Sequence, residues 1–135
     1  MGALTTKQRR ETMRRVKSEN TKPEMAIRRL VHRMGYRYRL HRKDLPGKPD
    51  MVFPGKKKII FIHGCFWHGH NCRAGRNKPR TNTDYWIPKI EKNVKRDKKN
   101  FEKLKECGWD VMVVWECEIH DLKMTGEKIK DFLSR

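Results

Sequence analysis

The chain has 135 residues, 34 of them Lys or Arg and 16 Asp or Glu, for a formal net charge of +18. With only 36% hydrophobic and 37% charged residues, residues 1–135 are expected to form a single domain around one thin core. No apolar run approaches the ~20 residues of a bilayer span, and the N-terminus lacks the apolar block of a secretory signal. The excess of cations calls instead for a polyanion, most often nucleic acid.

Residues 1–20 read as a basic N-terminal arm (Lys7, Arg9, Arg10, Arg14, Arg15, Lys17) in which Met13 and Val16 are the notable apolar side chains. Lacking a full apolar stripe, the arm is either disordered or ordered by a partner such as DNA. A helix begins at Thr21: Thr21-Lys-Pro-Glu24 has the form of a capping box, with Pro23 in the first turn. Ile27, Leu30, Val31 and Met34 follow at helical spacing, and Gly35 sits where a C-terminal glycine belongs. Tyr36, Tyr38 and Leu40 alternate with Arg37 and Arg39 as in a half-buried strand. Turns at Pro46-Gly47 and Pro54-Gly55 bracket a short strand at Met51-Val52-Phe53. Lys58 to His63 is apolar on both faces and therefore central. Residues 64–83 read as a loop. Asp84 to Cys107 spells a long helix whose stripe of Ile87, Ile90, Val94, Phe101 and Leu104 is interrupted by Asp97. Gly108 ends it, Trp109 to Trp115 form another strand, and a last helix carries Ile129, Phe132 and Leu133. The predicted fold is α/β, a mixed central β-sheet flanked by helices.

Chemistry is densest in His63-Gly-Cys65-Phe66-Trp67-His68-Gly-His70-Asn-Cys72. The chain reads as intracellular and cytoplasmic, where its four cysteines are expected to stay reduced. Thiolate and imidazole are the donors a tetrahedral Zn²⁺ prefers, so Cys65, His70 and Cys72 are expected to share a structural zinc. The fourth ligand is Cys117, just past the last strand, or else Cys107 at the end of the long helix. The alternative is that the cysteines are small buried hydrophobes. Phe66 and Trp67, adjacent in a polar loop, suit stacking on or wedging between bases; the alternative is a small core beneath the loop. Pro49-Asp50 before a central strand has the first half of the nuclease pattern PD-x(n)-(D/E)-x-K. The second half departs from it, reading Phe61-Ile62-His63.

That departure and the block after it resemble the very short patch repair (Vsr) mismatch endonucleases. The resemblance runs over nearly the whole chain: Met13-Arg in the arm, Glu24, Leu45-Pro-Gly-Lys-Pro-Asp50, His63-Gly-Cys-Phe-Trp-His68, Tyr85-Trp86, Lys92 to Asp97, and Gly108-Trp through Glu116-Cys117. It implies a restriction-endonuclease-like fold, of the PD-(D/E)xK type, and a Mg²⁺-dependent nick in one strand beside the T of a T:G mismatch, such as deamination of 5-methylcytosine leaves. By position, Asp50 and the backbone carbonyl of Ile62 would hold Mg²⁺. His68 would take the proton of the attacking water, supported by Glu24 and His63. Cys65, His70, Cys72 and Cys117 would form the zinc site. Phe66, Trp67 and Trp86 would enter the base stack from one side and Met13 from the other groove. Ile62 stands where relatives carry Thr, which keeps a carbonyl ligand and removes a hydroxyl. The implied protein is a bacterial monomer acting on double-stranded DNA, upstream of mismatch-repair factors, a repair polymerase and a ligase. Two competing readings predict different outcomes: a non-catalytic zinc-stapled nucleic-acid binder would bind without nicking, and a nuclease of the same fold with another specificity would cut matched DNA as readily.

Overall fold

In the computed structural model, which describes residues 21–76 and 81–135, a sheet runs in the order β1 (Arg39–Leu40), β2 (Met51–Phe53), β3 (Lys58–His63), β4 (Asp110–Trp115). The first three strands are antiparallel and β3 and β4 are parallel, so the sheet is mixed as expected. The helices are α1 (Lys22–Arg33), a single turn α2 (Arg73–Arg76), α3 (Thr83–Glu106) and α4 (Leu122–Ser134). The basic arm and Met13 lie outside the described residues. None of the described helices is long and apolar enough to cross a membrane.

Strand alternation explains the layering. Met51, Phe53 and Ile60 face α1 and α4, meeting Ile27, Val31 and Ile129. Their neighbours Val52, Ile59 and Phe61 face the other way, onto Leu104 of α3 and Trp109. A strand apolar at every position is therefore covered on both sides, the reason β3 reads as central.

Three local features differ from expectation. The edge strand β1 has two residues rather than five, because its partner β2 ends at Phe53 and Pro54 opens a 3-10 turn. His41 then leaves the sheet at φ +48°. The 64–83 segment contains the turn α2, and α3 starts one residue early. Along α3, Ile90 and Leu104 are buried as the stripe predicts, but Ile87 and Val94 are exposed and Trp86 is buried instead. The helix meets the sheet only through its C-terminal half, around Phe101 and Leu104. Its N-terminal half lies over the loop after β3, which meets a different arc of its surface.

The Thr21 hydroxyl accepts from the Glu24 N–H at 3.4 Å, so half of the expected capping box is used, while the Glu24 carboxylate is buried and turned toward Arg28 and His41. At the far end of β3, Lys58 is buried and its ammonium donates to the carbonyls of Phe132 and Arg135, placing a cation at the negative end of α4. Lys58→Met keeps the apolar stem and removes both bonds. We expect a loss of about 2 kcal/mol in urea denaturation with an unchanged slope; an unchanged midpoint would remove Lys58 from the support of α4.

Candidate active site

The last residue of β3, His63, is buried, and the chain after it folds back in tight turns. His68 N–H donates to Gly64 C=O (3.2 Å), Gly69 N–H to Phe66 C=O (3.3 Å) and His70 N–H to Cys65 C=O (2.9 Å). Gly69 adopts φ +64°, and a Cβ there would lie 2.9 Å from Val94 Cγ2, so a side chain at this position would strain the turn and press on α3. The turn lays the His68 ring flat on His63, with centroids 3.8 Å apart and planes 8° from parallel. His68 Nδ1 is 2.6 Å from Asp97 Oδ2, and His63 Nδ1 is 3.9 Å from the same oxygen. Asp97, the one polar residue on the apolar stripe of α3, thus serves the histidine pair, while the neighbouring Arg96 donates to Asn93 Oδ1 at 2.5 Å. Burial, reinforced by His68 and opposed by Asp97, holds His63 down at about 3, which keeps it neutral. His68 and Asp97 line an open groove together with Lys98 and Lys105.

On the other side of β3, Asp50 precedes β2 and its Oδ2 accepts from the Ile62 N–H at 2.7 Å. Glu24 Oε2 lies 2.9 Å from His41 Nε2 and 3.4 Å from Arg28 Nη1. Donor atoms of Glu24, His41 and Asp50 lie within 4.8 Å of one another, a group able to hold a metal ion. Burial pushes Asp50 from the ordinary 3.8 up to about 6. The Ile62 N–H opposes that rise, the Glu24 charge adds to it, and His41 and His68 lower it. The two histidine–carboxylate groups therefore feel each other across the end of β3.

Cys65, His70, Cys72 and Cys117 come together with donor atoms within 4.8 Å. Cys117 N–H donates to Cys65 Sγ (3.4 Å), Gly75 N–H donates to Cys72 Sγ (3.3 Å), and Cys117 Sγ lies 3.6 Å from His70 Nδ1. Trp115 stacks on His70 at 4.1 Å. A Cβ at Gly75 would collide with the His70 carbonyl, so α2 packs against this loop without clearance. Cys107 is exposed and outside the group. Burial pushes the Cys65 thiol up to about 12 and the Cys117 thiol upward. Three thiols and one imidazole converging at this distance are a donor set able to hold a metal ion.

Phe66, Trp67 and Trp86 also meet. The Phe66 ring is 4.9 Å from Trp67 and 5.7 Å from Trp86. Phe66 and Trp67 are half-buried, whereas Trp86 is buried and its indole N–H donates to Thr81 C=O at 3.0 Å. Asn93 of α3 donates to Trp67 C=O at 3.0 Å, fixing the loop beneath the pair.

The family model described as DNA mismatch endonuclease Vsr matches residues 1–74. The DNA mismatch endonuclease Vsr of Escherichia coli (strain K12) is 38% identical over 126 residues, covering 93% of this chain and 80% of that protein. The chain belongs to the Vsr family. The Type II nicking enzyme V.XorIIP of Xanthomonas oryzae pv. oryzae is 51% identical over 130 residues, 96% of this chain and 95% of its own. The Type II nicking enzyme V.NmeAIP of Neisseria meningitidis is 44% identical over 126 residues, 93% and 89%. The Vsr match spans Glu24, Asp50, His63, His68 and three of the four Cys/His donors; Asp97 and Cys117 lie beyond it, in the part the relatives cover.

Two residues of this Vsr site were not singled out for it by their sequence context. His41 sits in Leu40-His-Arg-Lys, indistinguishable there from a surface cation. Asp97 stands out as a carboxylate on an apolar stripe, but its partner is known only from the fold.

The Asp50 shift has a consequence for stability. A carboxyl whose folded value lies above its unfolded one favours the fold only while protonated, so that contribution is lost as pH rises from 3.8 to about 6. At pH 8, with no divalent cation added, ionised Asp50 costs the fold at most about 3 kcal/mol. Asp50→Asn should therefore stabilise the protein at pH 8 and change it little at pH 4. A variant less stable than the parent at pH 8 would contradict the burial cost. For the cysteine group, metal analysis should find one bound ion lost in Cys117→Ser and kept in Cys107→Ser. The reverse pattern would move the fourth ligand.

Proposed function

We propose that this Vsr-family nuclease nicks one strand of duplex DNA beside the T of a T:G mismatch, by Mg²⁺-dependent phosphodiester hydrolysis that starts very short patch repair. The observation that carries the reading is the meeting, at the end of β3, of a buried carboxylate group and a histidine held by a carboxylate. Asp50 stands before β2 and Ile62-His63 close β3, the places where a restriction-endonuclease-like fold of the PD-(D/E)xK type carries its acids and lysine. That supports the architecture, with the chain read as one domain. The printed names of the relatives, a mismatch endonuclease and nicking enzymes, support strand scission.

Asp50 and Glu24 suit a hard divalent cation, since two carboxylates with donors within 4.8 Å are the oxygen ligands Mg²⁺ takes. Asp50 and the Ile62 carbonyl would hold it, with Glu24 close enough to bind it directly or through a water. Bound there, Mg²⁺ supplies positive charge against the negative charge that builds on the phosphate. The chain's own groups do the rest. Asp97 accepts from Nδ1–H of His68, which leaves Nε2 as the acceptor for the proton of the attacking water. His63, neutral and stacked beneath, holds that ring in plane without competing for the proton. Lys98 and Lys105, along the groove, offer charge to the DNA backbone.

The Cys65, His70, Cys72 and Cys117 set, three thiols and one imidazole, fits a structural Zn²⁺ with no open position. Its part is to fix the loop that carries His68, Phe66 and Trp67. Phe66, Trp67 and Trp86 enter the base stack, where opening costs least at a mismatch, and Met13 enters from the other groove. The enzyme works as a cytoplasmic monomer on DNA, followed by mismatch-repair factors, polymerase and ligase. Because two relatives are named as nicking enzymes without a mismatch in the name, a second reading keeps the chemistry and changes the DNA recognised.

One panel tests both: end-labelled T:G, other mismatched and matched duplexes, with Mg²⁺ or EDTA, using the parent, Asp50→Ala and Asp97→Asn. The expected outcome is a single nick in the T strand of the T:G duplex, abolished by EDTA and by Asp50→Ala. Asp97→Asn should slow it by about 10²-fold, within the range of a general base's contribution. Equal nicking of matched DNA would favour the second reading. Nicking by Asp50→Ala would overturn the cation site.

A further inference from the structure

We infer that His41 is a positioning residue of this active centre, holding the Glu24 carboxylate in place beside Asp50. The inference rests on the reading of Asp50 as the cation-binding carboxylate, and on three observations around one residue. First, His41 Nε2 lies 2.9 Å from Glu24 Oε2, closer than the Arg28 guanidinium at 3.4 Å. An ionised carboxylate only accepts, so the imidazole donates. Second, the backbone N–H of the same His41 donates to the Asp50 carbonyl at 3.3 Å. One residue thus ties the α1 carboxylate to the start of β2 through its side chain and its main chain. Third, His41 takes φ +48° as it leaves β1, a left-handed conformation uncommon for a residue with a Cβ. That turn brings the imidazole inward.

Burial separates this role from a surface one. The side chains of His41 and Glu24 are 11% and 4% exposed, so His41 is not part of the cationic coat that meets DNA. A buried carboxylate next to a second carboxylate is pushed away from it by like charge. A donor fixed on the main chain beside Asp50 opposes that displacement and keeps Glu24 where a cation can use it.

The test is single-turnover nicking of the duplex that the parent enzyme cuts, across a Mg²⁺ titration, with His41→Ala, His41→Gln, His41→Asn and Asp50→Ala. The Gln amide nitrogen reaches about as far as Nε2, while the Asn amide is one methylene shorter and Asn accepts left-handed φ more readily. Glu24 mispositioned by about 1 Å should cost on the order of 10²-fold in rate. We expect that loss in His41→Ala, with a several-fold higher Mg²⁺ requirement and unchanged duplex affinity, and most of the rate restored in Gln but not in Asn. In a Glu24→Gln background, His41→Ala should add little further loss.

His41→Ala with parental rate and Mg²⁺ dependence, beside an inactive Asp50→Ala, would overturn the role of His41 alone. So would Asn performing as well as Gln, since backbone strain would then be the effect. Nicking by Asp50→Ala would instead overturn the underlying site. If His41→Ala fails to fold, the Gln and Asn pair decides.

Discussion

The carboxyl ends of β3 and β4 lie side by side in parallel register, His63 opposite Trp115. Almost every candidate site residue is placed by that pair. Ile62 N–H, one residue back, orients Asp50. His63 stacks under His68, Trp115 stacks on His70, and Cys117 follows two residues after Trp115 to join Cys65. The register of the two strands is fixed because β4 gives Met112 and Val114 to one core and Val111 and Val113 to the other, so a slip by one residue would exchange the two sets. The loop from 64 to 72 has no such core of its own. It is fixed by contacts between Cys117 and Cys65 or His70, on segments about fifty residues apart in sequence, and by close seating on α3 at Gly69. Tying distant segments at one point explains how a polar loop can present a histidine at fixed geometry.

How far these features are legible in the sequence follows from what each depends on. β3 is legible because a strand covered on both faces must be apolar throughout. Helix α1 is legible because its stripe meets one partner along its length. The stripe on α3 misleads, since periodicity assumes a single partner and α3 has two, the sheet for one half and the loop for the other. Ile87 and Val94 are exposed for that reason while Trp86 is buried. The length of β1 depends on where β2 stops, which Pro54 decides. The Cys/His group is legible up to its fourth member. Choosing Cys117 over Cys107 requires the parallel register, which brings the end of β4 to the loop and leaves the end of α3 in solvent.

His41 and Asp97 mark the limit. Both meet a partner far along the chain, Glu24 at 17 residues and His68 at 29. Local composition marks such a residue only when it violates its surroundings, as Asp97 does on an apolar face. His41 stands among cations just after a short edge strand and violates nothing. Its left-handed turn is a property of the fold.

The two histidine–carboxylate pairs are assembled alike and are driven apart by what surrounds them. In each, an imidazole nitrogen meets one carboxylate oxygen, at 2.9 Å in Glu24–His41 and 2.6 Å in Asp97–His68. Glu24 has a second carboxylate, Asp50, beside it, so that side gathers negative charge in a buried place and suits a cation. Asp97 has a second imidazole, His63, in place of a second acid, and its rings open on a groove with two lysines. That side presents imidazoles and cations to the groove. β3 keeps the two apart. Asp50 grips its backbone from the β2 side and Asp97 reaches the histidine pair at its end from α3, so a single strand separates the acidic group from the histidine pair.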